Sequence, residues 1–383
     1  MIGKKNRYKI IIIGSDAGAF LNFRKELVLD LISSGFSPHI LVPDASKNND
    51  LKSFCIKNSI TFSDFMLDRY SMNIFKEFIS IFQIILIFAK ERPQIILSYT
   101  IKPNFYALIA AFLTRVPLRF TLVTGLGYFL RTNKKSSLKK ALIKVYGFFL
   151  RKSNSIFFQN HDDIEAFKSM KLISSSQDFK IIPGSGVNLD YFKFKSIPDL
   201  KKLSFLFVGR LLIDKGILDF LNAAIAIGTI NNEIMFKVLG WIEQSDNSIS
   251  EKDLVALESQ KNIELIKKVS DVRPIIESCH VLVHPSYHEG MPRSVLEAMS
   301  IGRPIITTDA PGCRESIIDN FNGYIVKSGD VESLIKAIKI FINQKDLIKI
   351  MSHRSRKLAE EKFDVKIVNK AIIETMISKL PTV

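Results

Sequence analysis

"LSFLFVGRLLIDKGI" (Leu203–Ile217) decides how this chain of 383 residues divides. A short apolar run ends at Gly209, two cations follow at Arg210 and Lys215, and Gly216 opens a helical pattern. The order is strand, loop, helix, and it begins a series continued by "IMFKVLG" (234–240), "HVLVHP" (280–285) and "RPIITT" (303–308). An earlier series runs through "KIIII" (9–13), "PHILV" (38–42), "QIILS" (94–98), "LRFTLV" (118–123), "SIFFQ" (155–159) and "FKIIP" (179–183). Amphipathic segments such as Phe20–Ser34, closed by Gly35, lie between these runs. Strands alternating with helices predict a parallel sheet covered on both faces. Two such series predict an α/β chain of two Rossmann-like, doubly wound domains facing a cleft. The first domain is expected at 1–190 and the second at 201–365. A Gly/Pro-punctuated stretch (183–199) supplies the connection, with the linker at 191–200. A C-terminal helix (366–383) is expected to pack back on the first domain. The length is ample for two cores.

Composition narrows the class. Cys55, Cys279 and Cys313 are scattered without CxxC spacing, which fits a reducing compartment and gives no disulfide or zinc framework. Lys4, Lys5, Arg7 and Lys9 precede or enter the isoleucine run, but that run is shorter than the about 7–15 apolar residues of a secretory signal. "FISIFQIILIFA" (Phe78–Ala89) is broken by Ser80 and Gln83 and falls short of the about 18–20 residues of a membrane span. A soluble or peripheral cytoplasmic protein is expected. The charge is uneven. Residues 1–200 hold 29 Lys+Arg and 15 Asp+Glu, net +14; residues 201–383 hold 25 and 23, net +2. The first half therefore favours a polyanionic partner, nucleic acid or an anionic membrane surface.

In open α/β sheets, ligands bind at the carboxyl ends of strands. "GSDAGAF" (14–20) offers Gly14 and Gly18 at one such end. It is not GxGxxG, which disfavours an NAD-dependent dehydrogenase, and an ordinary strand-to-helix turn explains it equally well. Arg210 and Lys215 stand at another, beside a helix start that suits a diphosphate; surface pairing with Asp214 or Asp219 is the alternative. "HPSYHEGMPRSVLEAMSIGRPIITTD" (284–309) adds two carboxylates. Pro292 suits the first helical position, Val295, Leu296 and Met299 form the buried stripe, and "SIG" ends the helix. Backbone N–H groups around Arg293, Ser294 and Val295 are then available to an anion. Glu289, before the helix, suits sugar hydroxyls, since a carboxylate only accepts hydrogen bonds. Glu297, in the second turn, suits a ribose diol. A glycosidase acid/base pair is the rival, but it leaves Arg210 and Lys215 without a role. A purely structural reading makes Glu289 a helix-start charge and Glu297 a solvated one.

"GRLLIDKG" together with "EGMPRSVLE" resembles the retaining glycosyltransferases of family 4, two-domain enzymes of the GT-B fold. The resemblance covers essentially the whole chain and is most specific over 207–323. "YTIKPNFY" (99–106), "TGLGYFL" (124–130), "FQNHDD" (158–163), "PGSGVNLDYF" (183–192) and "TDAPGCRES" (308–316) are similar to one subgroup. Its members, such as the bacillosaminyl-lipid α-1,3-N-acetylgalactosaminyltransferases, extend undecaprenyl-diphosphate-linked sugars in bacterial glycan assembly. The resemblance implies that Arg210 and Lys215 bind the donor's diphosphate, that Glu289, with Gly290 and Met291 beside it, contacts the donor sugar, and that Glu297 holds the ribose. It implies a UDP-sugar donor, an N-acetylhexosamine or hexose, with no cofactor. No DxD motif occurs, consistent with metal-independent transfer in which cations and helix amides meet the leaving-group charge. The family's T-x-H-G context near the donor sugar is here Thr124-Gly125, without a histidine; this shifts weight to the backbone of Gly125–Gly127. Lys102 in "TIKPN" is a candidate for a phosphate of donor or acceptor, and Arg314 in "PGCRE" for the nucleotide, with pairing to Glu315 as the alternative. His39, His280 and His353 read as structural or surface residues, and His161 as a helix start. His284 and His288 flank the acidic motif without being required as bases.

"RTNKKSSLKKALIKVYGFFLRK" (Arg131–Lys152) reads as a basic amphipathic helix. Leu138, Leu142, Val145 and Phe149 share one face, and Lys139, Lys140 and Lys144 lie off it, with Lys134 and Lys135 just before. Such a helix lies on an anionic bilayer, each lysine adding about 1 kcal/mol; an ordinary domain helix with a solvated lysine face is the alternative. The expected partners are thus a nucleotide sugar, a polyprenyl-diphosphate-linked sugar and the anionic inner-membrane surface. A nucleic-acid-binding protein finds no helix-turn-helix, RRM or zinc pattern. A nucleotide-sugar 2-epimerase of the same fold needs no membrane and fits the acids and cations less well.

Overall fold

The computed structural model describes residues 8–68, 73–127, 130, 137–231, 233–243, 247–250 and 260–381. The chain forms two compact units, Met1–Ser185 with Val368–Val383, and Gly186–Ile367.

In the first unit, isoleucines set the layers. β1 (Tyr8–Ile13) buries Ile10, Ile11, Ile12 and Ile13 completely, because its two faces serve different cores. Ile10 and Ile12 join one apolar cluster, Ile11 and Ile13 another. A strand buried on both sides is the mark of a covered parallel sheet. That sheet comprises β1, β2 (Phe36–Leu41), β3 (Thr61–Ser63), β4 (Ile95–Tyr99), β5 (Leu118–Leu122), β6 (Ser155–Phe158) and β7 (Phe179–Ile181). Their order is β3-β2-β1-β4-β5-β6-β7, all parallel. The helices are α1 (Ala17–Ser33), α2 (Asn49–Lys57), α3 (Ile74–Glu91), α4 (Ile101–Leu113), α5 (Ser137–Leu150) and α6 (His161–Ser169). Asp16 caps α1 by accepting from the Ala19 N–H at 2.6 Å, and Asn160 caps α6.

The second unit repeats the plan. β8 (Ser204–Arg210), α7 (Ile217–Gly228), β9 (Met235–Trp241), β10 (Ile263–Ile266), α8 (Arg273–Glu277) and β11 (Val281–His284) come first. α9 (Arg293–Ile301), β12 (Ile305–Thr308), β13 (Gly323–Val326), α10 (Val331–Asn343) and α11 (Asp346–Leu358) complete it. The strands are parallel in the order β10-β9-β8-β11-β12-β13. α12 (Val365–Ile377) leaves this unit and, from Val368 on, belongs to the first, where Val368, Ile372, Ile373 and Met376 join the core beside Leu27 and Leu31.

Two expectations change. Residues 191–200 are no free linker. Phe192 is buried in the second unit, its carbonyl accepts from Ser300 Oγ, and Arg303 donates to the Lys195 carbonyl at 2.9 Å. The expected face of the 131–152 helix is also rotated. In α5 the buried side is Tyr146 and Leu150, Leu142 and Phe149 are half-buried, and Val145 and Phe148 share the exposed side with Lys140 and Lys144. Lys139 is half-buried, while Lys134, Lys135 and the rest of 131–136 lie outside the described residues. Among the described residues no helix is long and apolar enough to cross a membrane. All three cysteines are free and buried, and burial pushes the thiols up to about 11 at Cys55 and about 12 at Cys279 and Cys313.

Candidate active site

Strand order in the second sheet reverses between β8 and β11, where an open α/β sheet leaves room for a ligand. β8 ends at Arg210 and the loop after it carries Lys215; the loop after β11 carries Glu289. Gly216 explains why the two loops meet. Its φ is +73°, and a Cβ there would lie 1.9 Å from the Pro285 carbonyl oxygen, so only glycine lets the β8 loop rest on the residue after β11. Ser286 Oγ and the Tyr287 N–H both donate to the Asp214 carbonyl, at 3.2 and 3.0 Å. Lys215 Nζ then lies 2.6 Å from Glu289 Oε1, and His284 Nε2 lies 3.2 Å from the same oxygen. A third segment fixes the glutamate from behind. The Glu289 N–H donates to the Pro311 carbonyl at 2.9 Å. Gly312, at φ +78°, lies where any Cβ would be 2.2 Å from the Glu289 carbonyl oxygen.

This geometry sets the charge of the site. Burial raises the Glu289 carboxyl, but Lys215 and His284 together outweigh it and hold the group well below the usual carboxylate range. Glu289 is therefore an ionised acceptor. Glu297 contrasts with it. Burial raises its carboxyl against the pull of Arg293, whose Nε donates to Glu297 Oε1 at 2.9 Å one helical turn away.

α9 starts one residue later than expected. Pro292 is its N-cap, with φ −74° and ψ 111°, and Arg293 is the first helical residue. The Val295 N–H is already donated to the Pro292 carbonyl at 3.1 Å, which removes it from the expected anion site. Ser294 is half-buried, Gly290 and Val295 are buried, and Met291 packs partly on the core. Arg210 pairs with Glu243 at 2.7 Å. Asp219 accepts from the Tyr287 hydroxyl at 2.9 Å. Arg314 donates to the Asp309 carbonyl and lies 3.5 Å from Glu315.

The remaining candidates belong to the first unit. Gly14 ends β1 against Tyr99, whose hydroxyl would lie 2.0 Å from a Cβ there. Gly18, in the first turn of α1, has only Asp16 Oδ1 at 3.4 Å and is not forced to be glycine by contact. Lys102, in the first turn of α4, donates to Glu77 Oε1 at 2.8 Å and to the Asp68 carbonyl at 2.7 Å, so an internal acid already meets its charge. Thr124, Gly125 and Gly127 follow β5, the two glycines with φ of +108° and +63°. His161 begins α6. His280 is tied to Ser204, and His353 stacks on Phe194. Among the described residues, no group of three or more His, Cys, Asp or Glu side chains could hold a metal ion.

The model of "Glycosyl transferases group 1" matches residues 190–358, and that of "Glycosyl transferase 4-like" matches residues 11–160. The capsular polysaccharide biosynthesis glycosyltransferase CapM of Staphylococcus aureus is 31% identical over 314 residues, 77% of this chain and 79% of CapM. The chain belongs to the group 1 glycosyltransferases. This glycosyltransferase is also 24% identical over 348 residues, 87% of this chain and 89% of the relative, to the N,N'-diacetylbacillosaminyl-diphospho-undecaprenol alpha-1,3-N-acetylgalactosaminyltransferase of Campylobacter jejuni. Its fold matches that of Anabaena HepE in complex with UDP, with a TM-score of 0.76 at 16% identity, covering 97% of this chain and 100% of the other. It is an α/β enzyme of two Rossmann-like units, as in the GT-B glycosyltransferases.

Reading the sequence finds the cations and acids of the enzyme but misses what arranges them. His284 gives a signal, a histidine near the end of the predicted strand 280–285 and five residues before the acid. Gly312 and Glu243 give none, since both act through contacts distant in sequence.

Proposed function

We propose that this glycosyltransferase moves a sugar, an N-acetylhexosamine or hexose, from a UDP-sugar to an undecaprenyl-diphosphate-linked sugar during bacterial surface-glycan assembly. The observation that carries the reading is the Lys215–Glu289–His284 cluster, with Arg210 at the end of the strand that leads to Lys215. It pairs an ionised hydroxyl acceptor with cations suited to a diphosphate. The relatives' names support the substrates: one acts on a diphospho-undecaprenol sugar, and a fold neighbour was solved with UDP. In this reading Lys215 and Arg210 turn to the diphosphate, Glu289 accepts from the sugar hydroxyls, and Glu297 from the ribose. Transfer proceeds with retention and without a metal. The anomeric C–O bond to the diphosphate breaks, a bond to the acceptor oxygen forms on the same face, and the acceptor's proton passes to a diphosphate oxygen. The absent DxD motif fits cations in place of a metal. The basic first half fits work at the inner face of the cytoplasmic membrane.

Glu289→Ala should lower turnover at least 100-fold while UDP binding, followed by calorimetry, persists. Turnover at the wild-type rate sinks the assignment. Nuclear magnetic resonance of the product's anomeric linkage tests retention.

A further inference from the structure

α3 is an 18-residue helix with two apolar faces. Ser80, Ile84 and Phe88 face inward, the latter two in the core beneath β1 and β4. Phe75, Phe78, Ile79, Phe82 and Leu86 stand on the other face, at the spacing of one helical stripe, and are 81, 67, 46, 60 and 53% exposed. The solvent side of a surface helix is ordinarily polar, and a contiguous apolar patch of this kind marks an interaction surface. The same unit exposes further apolar side chains. α4 exposes Phe112 and Leu113 at its C-terminal end, and Phe112 meets Phe148 of α5 edge-on at 6.2 Å.

Charge around the patch is one-sided. The two acids of α3 are compensated within the unit, Glu77 by Lys102 and Glu91 by Lys9. Arg92 and Arg115 are not. They flank the pocket between the C-terminal ends of α3 and α4, both are exposed, and neither side chain makes a hydrogen bond or ion pair among the described residues. Two copies of the chain joined through this face would bring these arginines together, whereas an anionic surface would satisfy them.

We infer that the first unit docks on an anionic phospholipid bilayer through α3. The aromatic stripe enters the acyl boundary with the helix lying in the membrane plane, and Arg92 and Arg115 hold lipid phosphates beside it. The choice of a membrane rests on the lipid-linked acceptor proposed above; the location is new. α3, not the lysine face of α5, is the inserting element.

Vesicle flotation at low salt tests this, with phosphatidylglycerol/phosphatidylcholine and pure phosphatidylcholine vesicles. The full chain should float with the anionic vesicles. Phe78→Glu combined with Phe82→Glu should lose at least tenfold in binding to them. Arg92→Glu combined with Arg115→Glu should lose the preference for anionic lipid. Lys140→Glu with Lys144→Glu should float nearly as well as wild type. Circular dichroism checks that the variants fold, and their turnover with a short-chain water-soluble acceptor should match wild type. Undiminished flotation of the aromatic variant overturns the proposal, as does failure of the wild type to float. A dimer in sedimentation that the aromatic variant abolishes assigns the face to a second copy and overturns it equally. Flotation that follows these expectations without any sugar transfer keeps the docking face and rejects only the catalytic reading.

Discussion

His39 is 2% exposed on β2, its ring nitrogens 2.8 Å from Thr61 Oγ1 and 3.0 Å from Ser63 Oγ. Burial lowers its pKa from 6.5 to about 4, outweighing the attraction of Glu91, while Lys9 and Lys90 push the same way as burial. Between those values the unfolded chain binds a proton that the folded chain refuses, so stability falls as pH drops from 6.5 toward 4. The loss is about 3 kcal/mol over the window at 1.36 kcal/mol per pH unit. Urea unfolding at pH 7 and pH 4.5 should show the first unit losing about 2–3 kcal/mol more in wild type than in His39→Gln. Equal losses would mean that the histidine is not buried neutral.

α12 shows what one element adds to a core far from it in sequence. Ile372 is fully buried in a cluster where Val368, Ile373 and Met376 of the same helix meet residues of the first half. Ile372→Ala should destabilise the first unit by about 2–5 kcal/mol in thermal unfolding, the cost of a large-to-small change in a core. The central strands were plain in the sequence because they are apolar on both faces. The three unread strands, β3, β10 and β13, all lie at sheet edges. There "TFS", "IELI" and "GYIV" need bury only part of their surface, so no apolar run announces them. The same logic governs the site. Arg210, Lys215, Glu289 and Glu297 were visible because charge stands out beside a strand or helix pattern. Pro292 misled because a proline suits both the N-cap and the next position. The lysine pattern of 131–152 points to α5, yet the larger exposed apolar face among the described residues is on α3, whose run is too short and too interrupted to read as a membrane span.

At the scale of the whole molecule, two units share one plan and differ in charge. The first half carries +14 of the net +16. The buried thiols also divide between them: Cys55 in the first unit, Cys279 and Cys313 in the second. Without exposure and with their pKa raised, they are closed to alkylating reagents until the surrounding structure opens. Each unit thus carries its own clock. In maleimide pulses at increasing urea, read peptide by peptide, Cys279 and Cys313 should become reactive together, and Cys55 on a curve of its own. Saturating UDP should delay the Cys279 and Cys313 pair and leave Cys55 where it was. Separate midpoints for Cys279 and Cys313 would show that the second unit opens piecemeal. The burial that makes these cysteines chemically silent in the native enzyme makes them reporters of which half yields first.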